Sequence, residues 1–312
     1  MPSVWITGAY GFIGRHLARY LAGQGSRVSG IGHGAWPEKE AMEWGVSYWL
    51  NADISNNNLG YLQSSVGFPD VVYHLAGGSS VGEAIRNPYE DFKRTVASTA
   101  ELLEWLRQHS PNSKLVSISS AAVYGANHSG PISEEAGTEP FSPYGSHKFM
   151  MEELCRSYAQ NYGMNVVLPR LFSVYGSGLK KQLLWDFCNK LAAGSNIELG
   201  GTGKELRDWI DIRDVIIGLE RVNMLASSSA PVINLASGTA ASVGEITTMV
   251  LDFWSEVTSH RPEVTFSGVS RPGDPFSLVA DVNKMRETGI ENNISLPQGI
   301  SDYVTWFLKQ AR

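Results

Sequence analysis

The sequence predicts an α/β chain: a Rossmann-type doubly wound parallel sheet with a smaller C-terminal α/β lobe. Three observations carry this. Short apolar runs alternate with segments of helical period through the first half, a succession that produces parallel strands joined by crossover helices. A glycine triplet lies between the first run and the first helix, in "TGAYGFIG" at 7–14. After about residue 170 the rhythm loosens, as it would where a second lobe takes over.

"VWIT" (4–7), "RVSGI" (27–31), "SYWL" (47–50), "VVYHLA" (71–76), "KLVSIS" (114–119) and "NVVLPR" (165–170) read as strands. Their apolar character is nearly continuous, which indicates strands covered on both faces. Helical period marks 12–23, 89–108 and 144–162; in the second, Phe92, Val96, Leu103 and Leu106 recur at mixed three- and four-residue steps. Further on, "GLKKQLLWDFCNKLAAG" reads as a helix ending at Gly194 and "PVINLASG" (231–238) as a strand. Ser242 and Glu245 form a capping box ahead of another helix. Glycines and prolines punctuate 261–275, and "ISDYVTWFLKQ" reads as a closing helix. The expected division is a dinucleotide-binding domain over 1–170, with late returns near 209–238, and a mainly substrate-binding lobe over 171–312. No low-complexity linker separates them.

Composition narrows the function classes. The 312 residues are 43% hydrophobic and 18% charged, as in a soluble globular protein. A formal net charge of −6 without a basic run disfavours an electrostatic grip on nucleic acid or anionic membrane. No stretch reaches the ~18 apolar residues of a membrane span. "MPSV" runs straight into strand-like "VWITG", leaving no room for a signal peptide's charged and apolar regions, so a reducing cytoplasm is expected. Cys155 and Cys188 fit no metal-ligand spacing and read as packing thiols; no metal is expected.

The glycine loop spaces its glycines at 8, 11 and 14. Gly8 can make a tight turn, Gly11 admits a pyrophosphate close to backbone, and Gly14 allows close helix–sheet packing, while the helix start behind them presents N–H groups to the anion. Phe12 and Ile13 belong to the same cofactor loop. In NAD-binding chains an acid about 20 residues further on accepts the ribose 2′-hydroxyl. Gly32 stands there instead, followed by His33. A missing carboxylate removes the main obstacle to a 2′-phosphate, so NAD or NADP is expected with a slight lean to NADP; Arg15 and His33 are the candidate phosphate contacts. Asp53 in "NADI", with Ile54 beside it, would receive adenine.

"SPYGSHK" (142–148) opens the helix over 144–162 and places Tyr144 and Lys148 one turn apart on one face. "SISSAAVYG" (117–125) ends the fifth strand, so Ser120 would reach the same sheet edge as the glycine loop. A tyrosine serves as acid or base on a sugar hydroxyl when its pKa, ordinarily about 10, is pulled toward neutrality. Lys148 and the positive nicotinamide ring would both favour the phenolate. Ser120 would orient the reacting oxygen. His147 points roughly 100° away from Lys148 and reads as packing or surface.

In these motifs the chain resembles the extended short-chain dehydrogenases/reductases of the sugar-nucleotide epimerase/dehydratase family. The matching segments are "TGAYGFIG", "ADI" (52–54), "HLAGGSSV" (74–81), "SSAAVYG" (119–125), "SPYGSHK", "PRLFSVYG" (169–176), "RDWIDIRD" (207–214) and "RPGDPFSLVAD" (271–281). The resemblance implies Tyr144 and Lys148 as the catalytic pair with Ser120 as third member, and Ala76 and Gly77 along the cofactor's pyrophosphate–ribose path. It places Ser80 and Ser173 against the sugar nucleotide, and Arg207 and Arg271 against its diphosphate, where forked guanidinium hydrogen bonds suit phosphate oxygens. Ser173 replaces an asparagine common in the family, as does Thr95 near the active-site helix.

Sugar-nucleotide 4,6-dehydratases carry acidic residues directly after the catalytic hydroxyl, where this chain has Ala121 and Ala122; alanine moves no proton, so dehydration is disfavoured. The resemblance implies an NAD(P)-dependent NDP-hexose 4-epimerase that takes hydride from C4 and returns it to the other face. The alternatives are an NADPH-dependent NDP-4-keto-6-deoxyhexose reductase and a non-catalytic dinucleotide sensor. It further implies a homodimer through the helices over 89–108 and 144–162.

Overall fold

All five residues of strand β1 (Ser3–Thr7) are buried, the pattern expected of a strand covered on both faces. The computed structural model describes residues 1–194, 197–269 and 275–310. Strands β2 (Arg27–Gly32), β3 (Val46–Asn51), β4 (Val71–His74) and β5 (Lys114–Ser117) join β1 in one parallel sheet, together with Asn165–Leu171 and Val232–Leu235. From one edge the order is Val232–Leu235, Asn165–Leu171, β5, β4, β1, β2, β3. Strand order therefore reverses at β1, and the connections leaving β1 and β4 diverge to opposite faces. Such a reversal opens a crevice beyond the carboxyl ends of the strands.

Alternate residues of each strand face opposite layers. Val4, Ile6, Tyr73 and Val116 pack on Leu17 and Leu21 of helix α1 (Phe12–Gly23) and on Val215, Leu219 and Val222 of the helix Ile212–Val222. Trp5, Val72 and Leu115 pack on Leu59, Leu62, Leu102, Leu106, Cys155 and Ala159 from the other side. Each fully buried leucine there contributes about 1.5–3 kcal/mol of transfer free energy. Both cysteines are buried thiols.

The late strand Val232–Leu235 rejoins the main sheet beside Asn165–Leu171. Leu206–Asp211 does not; it heads a second sheet with Ala240–Ser242, Ser277–Leu278 and Ser173–Tyr175. A separate core of Leu184, Phe187, Leu191, Ile246, Val250, Trp254, Ile300, Val304 and Phe307 supports this part. The buried carboxylate of Asp208 holds its loops: it accepts the backbone N–H groups of Ser237 (2.6 Å), Gly238 (2.9 Å) and Ala280 (3.2 Å).

Helix starts follow local chemistry. Ser142 caps Pro143–Tyr162, its hydroxyl accepting the Gly145 N–H at 3.1 Å, with proline at the first position and Gly163 in a left-handed cap at the end. The Ser242–Glu245 capping box forms as expected. Two expected helices differ. The run over 178–194 is helical only across Gln182–Ala193, because Lys181 is extended and Gln182 has a positive φ of 66°. The span 89–108 is not one regular helix: Pro88–Phe92 passes into a π-turn at Lys93–Ala97 before Ser98–His109 resumes. There the Ser98 N–H reaches five residues back to the Lys93 carbonyl. No helix among the described residues is long and apolar enough to cross a membrane.

Candidate active site

One cleft of about 1220 Å³ runs along the crevice at the strand ends. Its floor is the glycine loop. Gly8 has φ +73°, and a side chain there would meet the Ala76 backbone N at 3.0 Å; at Gly14 it would meet the Gly8 carbonyl at 2.4 Å. The turn is thus a backbone cradle that only glycine can line, with the open start of α1 above it, and it fits the pyrophosphate of a dinucleotide. Phe12, Ile13, Ala76 and Gly77 line the same stretch.

At the adenosine end lie Gly32, His33, Asp53 and Ile54. Gly32 has φ +152°, and a side chain on it would press on Gly8 N (3.2 Å) and Trp49 (3.3 Å). Tight packing against the glycine loop thus accounts for the missing acid without reference to the 2′-position. His33 Nε2 lies 2.9 Å from Asp53 Oδ1. Arg15 donates to the Tyr10 carbonyl (2.9 Å) and stacks over Tyr10, Trp36 and Trp44. Lys93 and Arg94 both pair with Glu90. These cations already have partners, and nothing at this end carries the lean to NADP.

Toward the other end, Ser120, Tyr144 and Lys148 converge on the cleft from two elements, the strand end Ser119–Ser120 and the helix Pro143–Tyr162. The neighbouring Ser120 side chain eases ionisation of the phenol. Burial outweighs it, with the Asp91 charge adding to burial, so the phenol's pKa is raised. This differs from the expectation that the lysine one turn away draws it down. Lys148 instead donates to the Ile118 carbonyl at 2.9 Å, and its Nζ would lie 3.4 Å from a side chain on Gly77. Burial pushes the Lys148 pKa itself down to about 8. The i,i+4 spacing put both residues on one face, but the tertiary environment turned the ammonium toward the cofactor turn.

Ser80, Ser173 and Arg207 line the same cleft, Arg207 also donating to the Leu206 carbonyl at 2.8 Å. Arg271 lies outside the described residues. Ala121 and Ala122 line the cleft beside Ser120, so no proton donor stands directly after it. Among the described residues no cluster of three or more His, Cys, Asp or Glu side chains is placed to hold a metal ion.

Sequence reading passed over two features. His147 is neither simple packing nor surface: its Nδ1 lies 2.6 Å from Asp91 Oδ2, and both side chains are nearly buried. Asp91 in turn crowds Gly78, where a side chain would fall 1.7 Å from Oδ1. Nothing local links residues 91 and 147, so only the fold reveals the pair. Lys181 lines the cleft with its pKa lowered by burial. It sits at the start of Gln182–Ala193, where the helix dipole disfavours a cation; that misplaced charge was the available signal.

A dinucleotide cradle at a strand-order reversal, with a tyrosine and a buried lysine beside it, defines a nicotinamide-dependent α/β enzyme. The chain belongs to the NAD dependent epimerase/dehydratase family, whose model matches residues 4–236. Among curated relatives, a UDP-glucose 4-epimerase of Oryza sativa subsp. japonica is 31% identical, with 90% of this chain and 83% of the relative covered. One of Azospirillum brasilense is 29% identical over 92% of this chain and 86% of the relative. Among solved structures, MoeE5 in complex with UDP-glucuronic acid and NAD superimposes with a TM-score of 0.86 at 28% identity, covering 99% of each chain. The UDP-glucuronic acid 4-epimerase of Bacillus cereus, also with UDP-glucuronic acid and NAD, has a TM-score of 0.87 at 27% identity, covering 99% of this chain and 100% of that one.

Proposed function

We propose that the chain is an NAD-dependent 4-epimerase of a UDP-linked hexose or hexuronate, with Ser120, Tyr144 and Lys148 as its catalytic set. The observation that carries this reading is the convergence of Ser120, Tyr144 and Lys148 on the dinucleotide cleft, with the Lys148 ammonium next to Gly77. The relatives' names supply the uridine nucleotide and the carbon.

The glycine cradle and the start of α1 would hold the pyrophosphate, and Gly77 with Lys148 the nicotinamide ribose. Bound NAD supplies a hydride acceptor, and the positive charge of its ring favours phenolate at Tyr144. Tyr144 takes the proton from the sugar's C4 hydroxyl as C4 is oxidised, and returns it when C4 is reduced on the opposite face. Ser120, at its strand end in the same cleft, would orient the C4 oxygen. Arg207 and Lys181, which line the same cleft, would meet the diphosphate, and Ser80 and Ser173 the sugar side of the substrate. Because the reaction has no net redox change, the enzyme must keep its NAD between the two transfers.

The test is direct. Protein purified without added nucleotide should release NAD on denaturation and interconvert UDP-glucose with UDP-galactose, or UDP-glucuronate with UDP-galacturonate. Steady NADPH consumption with a 4-keto sugar, and no bound NAD, would instead establish the reductase. A homodimer through Pro143–Tyr162 and the helices before it is proposed on the family resemblance, and sedimentation of the purified chain checks it.

A further inference from the structure

Beneath the cofactor turn runs a buried chain of hydrogen bonds that the chemistry above does not use. His74 ends β4, and its ring bridges two threonines: Nδ1 lies 2.8 Å from Thr7 Oγ1, and Nε2 lies 2.8 Å from Thr99 Oγ1. Thr7, His74, Thr95 and Thr99 are all essentially inaccessible to solvent. Thr7 Oγ1 accepts the Ala76 N–H at 3.1 Å. Thr99 donates to the Thr95 carbonyl at 2.6 Å, and Thr95 Oγ1 accepts the Gly78 N–H at 2.8 Å. The two arms leave His74 in opposite directions and return to the same turn, one on each side of Gly77.

The protons have one self-consistent arrangement. A hydroxyl has a single proton, and that of Thr99 goes to the Thr95 carbonyl, which can only accept. Nε2 must then carry the ring proton and donate it to Thr99. In a neutral ring Nδ1 is the acceptor, so the Thr7 hydroxyl donates to it. The donors on His74, Thr7 and Thr99 then each have an acceptor. The ring is kept neutral by burial and by the Lys148 charge, which together hold its pKa at about 3.

We propose that His74, as the neutral Nε2–H tautomer, is a positioning residue for the cofactor: with Thr7, Thr95 and Thr99 it sets the Ala76–Gly78 turn against Lys148. The contact it controls is close, because at Gly77 (φ +142°) a side chain would stand 3.2 Å from Thr95 Oγ1 and 3.4 Å from Lys148 Nζ. The π-turn at Lys93–Ala97 widens the helix where Thr95 enters this chain, consistent with the tendency of such turns to mark functional sites. The proposal rests on the reading of this cleft as the NAD site.

The test uses the whole enzyme stripped of nucleotide, with NAD as probe. Thr99→Val, which removes the acceptor for Nε2–H, should weaken NAD binding by about tenfold, the equivalent of one buried hydrogen bond. Thr99→Ser should restore it at an unchanged thermal midpoint. Nitrogen-15 spectra of histidine-labelled protein should show the His74 ring protonated on Nε2 alone and not titrating between pH 5 and 8. Equal NAD affinity in the Val and Ser variants, or a ring protonated on Nδ1, overturns the proposal. Failure of the parent enzyme to bind NAD at all would overturn the cofactor reading instead.

Discussion

Tyr144 lines the cleft with its pKa raised by desolvation, and its aids to ionisation are the neighbouring Ser120 side chain and, once NAD is bound, the cofactor's positive charge. Tyr144→Phe should therefore keep NAD and lower kcat by about 10²–10⁴-fold, the usual worth of a positioned acid–base group; turnover at the parent rate would remove the acid–base role from Tyr144. Asp91 pushes the same phenol upward. In Asp91→Asn the pKa of the ascending limb of kcat, along which the phenol ionises to its basic form, should move down, measurable in a pH–rate profile. His74 supplies a stability signature. Its ring stays unprotonated in the fold to about pH 3, against an ordinary value of 6.5, so between these values the unfolded chain binds the extra proton. Its contribution is complete above pH 6.5 and is lost progressively as pH falls toward 3. Denaturant midpoints measured from pH 7 to 4.5 should fall less steeply in His74→Asn than in the parent.

At the scale of elements, the strand–turn–helix unit β1–α1 was readable from its glycines, whose spacing leaves few other conformations. Gly14→Ala tests how tight the unit is. The added methyl would lie 2.4 Å from the Gly8 carbonyl and 2.7 Å from Ala9 Cα, both backbone and unable to swing aside. A cost of about 1–3 kcal/mol is expected for such overpacking, together with weaker NAD binding as the cradle opens; thermal unfolding and NAD titration check both. The helix Pro143–Tyr162 was equally legible, since Ser142 and Pro143 write its start in local chemistry. The interruption at Lys93–Ala97 was not. Its sequence, "KRTVA", has ordinary helical residues, and the π-turn forms where Thr95 is buried against Gly77 and Gly78, neighbours supplied by a different part of the chain.

Across the whole molecule, the main sheet brings the dinucleotide cradle and the second sheet brings Ser173 and Arg207 to one cleft. Two ligands should then stabilise in succession. At a hundredfold excess over its Kd each adds about 2.7 kcal/mol, so the melting temperature should rise with NAD and again with UDP. Arg207→Ala should abolish the second increment and spare the first; loss of both, or of neither, would remove Arg207 from the diphosphate site.

Local chemistry in the chain was enough for the parallel sheet, the glycine cradle, the caps and the presence of Ser120, Tyr144 and Lys148 at one edge, because each follows from periodicity or from steric limits spanning a few residues. The direction of the Lys148 ammonium, the reason Gly32 replaces an acid, the Asp91–His147 pair and the ring of hydrogen bonds through His74 were decided by folding. Each depends on a neighbour tens of residues away, and the electrostatics of a buried group are set by what surrounds it rather than by what precedes it.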